Sequence, residues 1–365
     1  MFFRILQFKS LSLRQITCTL LGMGNFSYMG IYIPPSLIFL TQAVILVTQN
    51  SSFRVIVMLI LILLLILAAL FLGGSYFAYR IAFFSPKEDR EKIPSTSGVE
   101  YDPYREVMRV IYHRLVDRPC EIVTIRSRDG LTLSGRYYHV KDGAPLDIGF
   151  HGYRSSPMTD FSGGSGISFE MEHNLLLVDQ RAHGKSQGKT ITFGILERND
   201  CLDWIRYAID RFGPETEIIL YGISMGAATV LMAAELDLPG NVRGIVADCP
   251  YSSPCAIIDL VSDRMRIPHK LSAPFISLGA RLYGGFNLKQ ADPLRAVVNT
   301  QVPILLIHGE ADSFVPCDMS REILDANPEK ISRVTFPDAD HGISYLVDTD
   351  RYAKTVKEFI RDILK

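Results

Sequence analysis

The sequence predicts an α/β protein in which a mostly parallel sheet is covered by helices on both faces and is preceded by a transmembrane helix. Two observations predict this. In the second half of the chain, apolar strand-like runs alternate with helical patterns, and apolar strands separated by helices are typical of a parallel sheet covered on both sides. Near the N-terminus, 18 successive residues carry no polar side chain, enough helix to cross a bilayer.

The composition excludes several classes of function. The 365 residues include 38 basic and 39 acidic side chains, a formal net charge of −1, so a strongly basic nucleic-acid-binding protein is excluded. The 6 cysteines contain no C-x-x-C pair, which gives little support to zinc or thiol-redox chemistry. The chemistry inferred below from the site residues implies no metal and no organic cofactor.

The N-terminal third contains the predicted membrane segment. Residues 1–54 have 4 basic and no acidic side chains, and we leave their structure open. A transmembrane helix is predicted over residues 55–80, because residues 55–72 are all apolar and aromatic residues follow where the membrane interface would lie. A core helix would have a polar face, and a cleaved signal peptide would need a small-residue cleavage site, which we do not find after the run.

We expect a single-pass membrane protein with a second, weaker span possible over residues 31–47. Pro34 and Pro35 interrupt that stretch, and Met58 is an alternative start of the chain. Basic residues flank the 55–72 run on both sides, so the positive-inside rule leaves the side of the catalytic domain open.

A polar, charged linker is predicted over residues 81–100, and a single domain over residues 101–365. Its first strands, 121–126 and 131–139, are joined by a turn sequence typical of a hairpin. The later strands are predicted at 146–150, 174–179, 217–223, 242–248, 303–309 and 332–336, with helices at 193–212, 225–236, 318–326 and 351–364. In such sheets, chemistry is carried by residues just beyond the carboxyl ends of the strands.

Ser224 is the candidate nucleophile. It lies in G-x-S-x-G at residues 222–226, between a predicted strand and a predicted helix. This context places a serine on a sharp turn above the sheet, with backbone N–H groups of the helix N-terminus beside it. The alternative is a helix-capping serine in a glycine-rich turn.

A serine hydroxyl needs a general base, and the base needs a carboxylate to orient it. His341 follows the last strand and is the candidate base. Asp312 follows the strand before it and is the candidate acid, which gives the chain order serine, aspartate, histidine that this kind of nucleophile turn requires. Competing acids are Asp248, Asp340 and Glu310, and competing histidines after strands are His151, His183 and His308.

Two backbone N–H groups are candidates for the oxyanion hole. The first belongs to Met225, directly after the nucleophile. The second belongs to Tyr153, in the His151-Gly152-Tyr153 loop after strand 146–150. Such donors stabilise the tetrahedral oxyanion of acyl transfer, and loss of one costs about 10²–10³ in rate.

These motifs together resemble the α/β-hydrolase superfamily. The resemblance covers roughly residues 120–365 and depends on HGYRSSP, VDQRAHGKSQGKT, GISMGAAT, LLIHGEADSFVP and DADHG, in that order. The second and fourth motifs look most like the prolyl-oligopeptidase and dienelactone-hydrolase branch, especially its single-pass bacterial membrane hydrolases. The resemblance implies the same triad and oxyanion donors, and gives Asp179, Arg181 and His183 a role in loop geometry. The HGY loop departs from the HGGG of hormone-sensitive-lipase relatives.

An insert of about 50 residues, 251–301, separates the strands 242–248 and 303–309. We expect it to form a small helical cap over the substrate pocket, where connections of this kind carry specificity. Met265, Phe275, Leu278 and Tyr283 would either line an acyl pocket or, as apolar residues more often do, pack the insert onto the domain.

The predicted function is a membrane-anchored serine hydrolase of the carboxylesterase type, which cleaves ester bonds through an acyl-enzyme on Ser224. The expected partners are a small acyl ester or a peptide as substrate and the membrane through the N-terminal helix. One alternative is a serine peptidase acting on short peptides, since the same groups cleave amides. The other is a catalytically silent binding protein, because a fold does not fix a function.

Overall fold

A computed structural model describes residues 51–86 and 99–365 of the chain. The predicted second span at 31–47 lies outside the described residues. The chain divides into two compact units, Met1–Phe71 and Leu72–Lys365. The predicted α/β fold class is confirmed: an eight-stranded sheet in the second unit has helices on both faces.

The N-terminal helix, α1, covers Ser51–Ala82, a few residues more at each end than the predicted 55–80. Its most apolar 18-residue window has a mean hydropathy of 3.6 and is not buried. Length and composition therefore allow this helix to cross a membrane, and it is the single such helix in the described part of the chain.

The end of α1 belongs to the second unit. Phe83 is fully buried, Ser85 N donates to Lys189 O at 2.9 Å, and Ile191 N donates to Phe83 O at 2.8 Å. Residues 81–86, which the sequence analysis assigned to the linker, thus pack on the domain because two aromatic residues and a backbone pairing hold them there. Residues 87–98 of that linker lie outside the described residues.

The second unit continues with a short 3-10 helix, Val99–Tyr104, and follows the order predicted for its strands. The elements are α2 Arg105–Val116, β1 Glu121–Arg126, β2 Thr132–Tyr138, β3 Leu146–Phe150, α3 Pro157–Asp160, α4 Ser165–Glu170, β4 Asn174–Asp179, α5 Glu197–Phe212, β5 Ile218–Ile223, α6 Met225–Ala233, β6 Val242–Asp248, α7 Pro254–Arg264, α8 His269–Leu282, α9 Pro293–Val297, β7 Ile304–Gly309, α10 Asp318–Ala326, β8 Ile331–Phe336, α11 Ser344–Val347 and α12 Thr349–Ile363.

The strand order is β1-β2-β4-β3-β5-β6-β7-β8. Strand β2 is antiparallel to both of its neighbours, and the strands from β4 to β8 are parallel. The carboxyl ends of the parallel strands therefore meet at one edge, where β5, β7 and β8 deliver the predicted triad loops.

Successive residues of the central strands are buried on opposite faces of the sheet. In β5, Leu220 belongs to the core that contains Trp204 of α5, whereas Ile219 belongs to the core that contains Val356 of α12. This two-sided burial follows from the period of two in a strand and explains why the strands read as continuous apolar runs.

Candidate active site

Ser224 lies at the turn between β5 and α6 in a backbone conformation that non-glycine residues rarely adopt, with φ 55° and ψ −114°. Glycine is required on both sides of it. A Cβ on Gly222 would lie 2.3 Å from Gly226 O, and a Cβ on Gly226 would lie 1.8 Å from Phe150 O. The G-x-S-x-G pattern therefore allows β5, α6 and the end of β3 to approach closely, and the strained turn exposes the serine hydroxyl to the site.

The structure brings the three predicted triad residues together. His341 Nε2 lies 3.0 Å from Ser224 Oγ, and His341 Nδ1 lies 2.8 Å from Asp312 Oδ2. His341 is 117 positions from Ser224 and 29 from Asp312 along the chain, and only the fold makes them neighbours. Both distances are those of hydrogen bonds, and the first allows a proton to pass from the hydroxyl to the imidazole.

The Asp312 carboxylate is held by several donors. Its Oδ1 accepts from the N–H groups of Phe314 at 2.8 Å and Val315 at 2.7 Å, and its Oδ2 lies 3.3 Å from His308 Nε2. Burial alone would raise its pKa, but the hydrogen bonds from His308 and His341 outweigh burial and hold the pKa of Asp312 well below its usual range. Asp312 is therefore an ionised carboxylate that orients the imidazole.

The competing acids have other partners. Asp248 accepts from Tyr352 Oη at 3.0 Å, and burial raises its pKa to about 6. Asp340 accepts from the backbone N–H groups of His341 and Ser313, both at 2.7 Å. Glu310 accepts from Thr335 Oγ1 at 2.5 Å. Among these acids, the structure places only Asp312 on the imidazole of His341.

The loop that carries Tyr153 lies beside Ser224. A Cβ on Gly152 would be 3.4 Å from Ser224 Cβ. Gly152 N donates to Asp160 Oδ2 at 2.6 Å, and Arg154 N donates to His183 Nε2 at 3.0 Å. These bonds fix the loop on either side of Tyr153, whose own N–H is the predicted oxyanion donor. Met225, the second predicted donor, occupies the first position of α6, where backbone N–H groups lack partners within the helix.

Sequence reasoning missed the roles of two residues of the site, Asp160 and His308. Asp160 accepts from Gly152 N and, at 2.5 Å, from Ser155 Oγ, and it holds the loop that carries Tyr153. His308 contacts Asp312 and donates to Val315 O at 3.0 Å, which joins the acid to the end of β7. The HG sequence after β7 was the available signal for His308. Asp160 had none, because it depends on the short helix α3 folding back over the loop.

The other histidines and the Asp179 segment take structural roles. His151 is fully buried between Gly152 O at 2.8 Å and Gln180 N at 3.1 Å, and burial lowers its pKa. The Arg181 guanidinium forms ion pairs with Asp200 at 2.6 Å and with Asp129 at 2.8 Å. This agrees with a role in loop geometry for the 179–183 segment.

Within the described residues, one group of three potential metal-binding side chains, Cys249, Asp312 and His341, has all its ligand atoms within 4.8 Å of one another. Asp312 Oδ2 and His341 Nδ1 are 2.8 Å apart, whereas two ligands of a tetrahedral zinc ion are separated by roughly 3.3 Å, given zinc–ligand distances of about 2.0 Å. Burial also raises the pKa of the Cys249 thiol well above its usual value. The arrangement therefore fits the hydrogen-bonded triad better than a metal site.

A cavity of about 470 Å³ opens in front of Ser224 and His341. The 3-10 helix and α2 cover it with Tyr101, Met108 and Ile111, and Phe161, Phe314 and Tyr345 line its other sides. No residue of the 251–301 insert lines this cavity. The expectation that the insert caps the pocket is thus not met, because the segment before β1 occupies that place.

The insert is helical, as expected, but it packs on the end of α1. Tyr283 and Tyr76 have ring centroids 5.1 Å apart, and a Cβ on Gly74 would lie 2.9 Å from the Phe275 ring. Met265 is 56% exposed. None of Met265, Phe275, Leu278 and Tyr283 lines the cavity, so these residues belong to the packing alternative or to the surface.

Comparisons with known proteins agree with this architecture. Residues 161–270 match a family model described as alpha/beta hydrolase fold. The chain is 23% identical over 291 residues to the protein YqkD of Bacillus subtilis, covering 79% of this chain and 92% of that one. Among solved structures, the Pyrococcus furiosus esterase Pf2001 superposes with a TM-score of 0.56 at 23% identity, over 68% of this chain and 93% of the esterase. The Pyrococcus horikoshii acylaminoacyl peptidase superposes with a TM-score of 0.51 at 18% identity, over 68% of this chain and 42% of the peptidase. The resemblance to α/β-hydrolase proteins is thereby confirmed for the fold.

Proposed function

We propose that the protein is a serine hydrolase that cleaves carboxylic esters and is anchored in a membrane by α1. The observation that carries the proposal is the continuous relay from Ser224 Oγ through the His341 imidazole to Asp312, with distances of 3.0 and 2.8 Å. The relay faces a cavity large enough for a small substrate. The apolar run of α1 supports the anchor.

The reaction proceeds in two halves. Ser224 Oγ attacks the ester carbonyl carbon while His341 Nε2 accepts the hydroxyl proton, and Asp312 stabilises the resulting imidazolium. The N–H groups of Met225 and Tyr153 donate to the oxyanion. Collapse of the tetrahedral intermediate breaks the ester C–O bond, and His341 gives the proton to the leaving alcohol. A water molecule then attacks the acyl-enzyme with His341 again as base, which releases the acid and restores Ser224.

The test is hydrolysis of p-nitrophenyl acyl esters by the full chain in detergent. Ser224→Ala is expected to abolish turnover and labelling by a fluorophosphonate while the unfolding midpoint stays near that of the parent. Ser332→Ala, on strand β8 and away from the cavity, is the matched control. It is expected to keep both the turnover and the labelling by the fluorophosphonate. Turnover by Ser224→Ala equal to that of the parent would refute the proposal.

A serine peptidase is the second candidate, because the acylaminoacyl peptidase has the same fold and the same relay can cleave an amide. Parallel rates on acyl esters and on aminoacyl p-nitroanilides with matched acyl groups decide between the two. If neither class reacts and no serine-directed probe labels Ser224, the protein is a binding protein with a hydrolase fold.

A further inference from the structure

One segment of the second unit combines exposed apolar residues with basic ones and leads into α8, the helix that contacts the end of α1. The segment 264–271, between and within α7 and α8, exposes three apolar side chains: Met265 at 56%, Ile267 at 47% and Leu271 at 67%. Arg264, Arg266 and Lys270 are interleaved with them. Exposed apolar side chains that lie close together in the chain and are bordered by polar ones are typical of an interaction site.

The charge of this segment is positive. Residues 264–271 contain three basic and no acidic side chains. The preceding acid, Asp263, accepts two hydrogen bonds of 2.8 Å from His269. Within the described chain, Arg266 and Lys270 lie in no ion pair with an acidic group. Interleaved basic and apolar side chains suit the headgroup region of an anionic bilayer, where the cations meet lipid phosphates and the apolar groups enter the acyl boundary.

The contacts of α8 with α1 favour a lipid surface as the partner of this segment. Helix α8, whose first turn holds Lys270 and Leu271, packs against α1 just beyond the apolar run. Tyr283 Oη donates to Leu72 O at 3.2 Å, and a Cβ on Gly279 would lie 2.5 Å from Ser75 O. At a helical rise of 1.5 Å, residues 72–75 lie within about 5 Å of the end of that run, which is headgroup depth if α1 crosses a bilayer.

The same surface adjoins the mouth of the catalytic cavity. Arg264 Nη1 donates to Phe314 O at 2.7 Å. The Phe314 ring lines the cavity and lies 5.2 Å from the ring of His341. A bilayer in contact with residues 264–271 would therefore lie close to the opening through which a substrate reaches Ser224.

We propose that residues 264–271 dock on the anionic headgroups of the membrane that α1 spans, which places the cavity mouth beside the lipid. The inference rests on the proposed anchoring by α1. It assigns to the insert a lipid-binding role in place of the pocket cap expected from the sequence.

The experiment uses the full chain in phosphatidylcholine nanodiscs, with and without phosphatidylserine. An environment-sensitive fluorophore is attached at Leu271→Cys, or separately at Leu61→Cys within the apolar run, in a background in which Cys18, Cys120, Cys255 and Cys317 are replaced by serine. Nitroxide-bearing lipids then report contact by quenching. We expect quenching at position 271 by a headgroup-depth nitroxide, about twofold or more stronger with phosphatidylserine and weakened by high salt.

Quenching at positions 61 and 271 distinguishes anchoring by α1 from docking of residues 264–271 on the membrane. Quenching at 61 without quenching at 271 would overturn the docking surface and leave the anchor intact. Absence of quenching at 61 would overturn both. The double variant Arg266→Glu/Lys270→Glu is expected to lose about half or more of the quenching at 271 and none at 61. Arg206→Glu/Lys354→Glu, an equal charge change at exposed sites on α5 and α12, should change neither. Undiminished quenching in the first double variant would contradict the proposal.

Discussion

The hydroxyl of Tyr153 donates a hydrogen bond to the backbone oxygen of Ala82 at 2.8 Å. This bond joins the loop of the proposed oxyanion hole to the last residue of α1. Arg154, the next residue, donates to Ile81 O at 2.7 Å and to Phe84 O at 3.2 Å. The last carbonyls of a helix lack partners within it, and here Tyr153 and Arg154 supply donors to them. We therefore expect the geometry of the proposed oxyanion hole to depend on the end of α1.

Tyr153→Phe tests this dependence, because it removes the bond to Ala82 and keeps the ring. We expect kcat on p-nitrophenyl esters to fall by about 3- to 10-fold with little change in KM, since only transition-state binding is weakened. Tyr283→Phe is the matched control: it also removes a bond to an α1 carbonyl, Leu72 O, but lies outside the cavity. A net hydrogen bond contributes about 1 kcal/mol, so both variants should lose similar stability. An equal loss of kcat in the two would show that the bond to Ala82 has no special role.

Asp312→Asn should lower kcat by about 10⁴, because an amide NH₂ beside His341 Nδ1 favours the wrong tautomer of the imidazole. Asp340→Asn changes a neighbouring carboxylate that bonds the backbone of His341 and Ser313, and should cost far less. Steady-state rates of the two variants at neutral pH check this. Similar losses of kcat in Asp312→Asn and Asp340→Asn would contradict the assignment of Asp312 as the acid that orients His341.

The raised pKa of Asp248 predicts how the free energy of unfolding depends on pH. Its pKa is raised by burial to about 6 in the folded protein, compared with about 3.9 when unfolded. The folded state therefore binds more protons between these values, and the free energy of unfolding falls as pH rises from about 4 to 6 and stays lower above. Asp248→Asn removes this loss, so the stability of the variant relative to the parent should rise by on the order of 2 kcal/mol between pH 4 and pH 8.

Urea unfolding of the parent and of Asp248→Asn at pH 4 and at pH 8 measures the difference between their free energies of unfolding. The amide introduced by Asp248→Asn retains an oxygen that can accept from Tyr352 Oη, which limits other effects of the substitution. A stability difference independent of pH would mean that Asp248 titrates normally in the folded protein.

Gly226→Ala tests the packing of the nucleophile turn. The added Cβ would lie 1.8 Å from Phe150 O, and neither backbone can move without disrupting β3 or α6. We expect a loss of several kcal/mol in the free energy of unfolding and loss of esterase activity. Gly164→Ala is the control, because the Cβ there meets nothing within 4 Å and the φ of −60° suits alanine. Thermal unfolding curves of both variants check it.

The sheet could be predicted from sequence because its strands are buried on both faces and read as apolar runs, as β3 and β4 do with every residue buried. The order of Ser224, Asp312 and His341 was predictable for the same reason, since each follows a recognisable strand. Their catalytic roles stay predictions. The cover of the cavity was not predictable, because α2 is short, charged and distant in sequence from the residues that it covers.

The packing of residues 81–86 was also missed, for a different physical reason. Local composition marks the stretch as the start of a polar linker, whereas its structure depends on long-range partners such as Lys189 and Thr190, more than a hundred residues away. The same is true of Asp160, whose bond to Gly152 exists only once α3 has folded over the loop.

The most direct measurement of the central claim is the acyl-enzyme itself. The full chain is mixed rapidly with p-nitrophenyl acetate, quenched in acid and digested, and the peptides are analysed by mass spectrometry. We predict a burst of p-nitrophenol close to one equivalent and one acetyl group on Ser224, with neither in Ser224→Ala. Steady hydrolysis with no acetyl group on Ser224, or with the group on another side chain, would contradict the account.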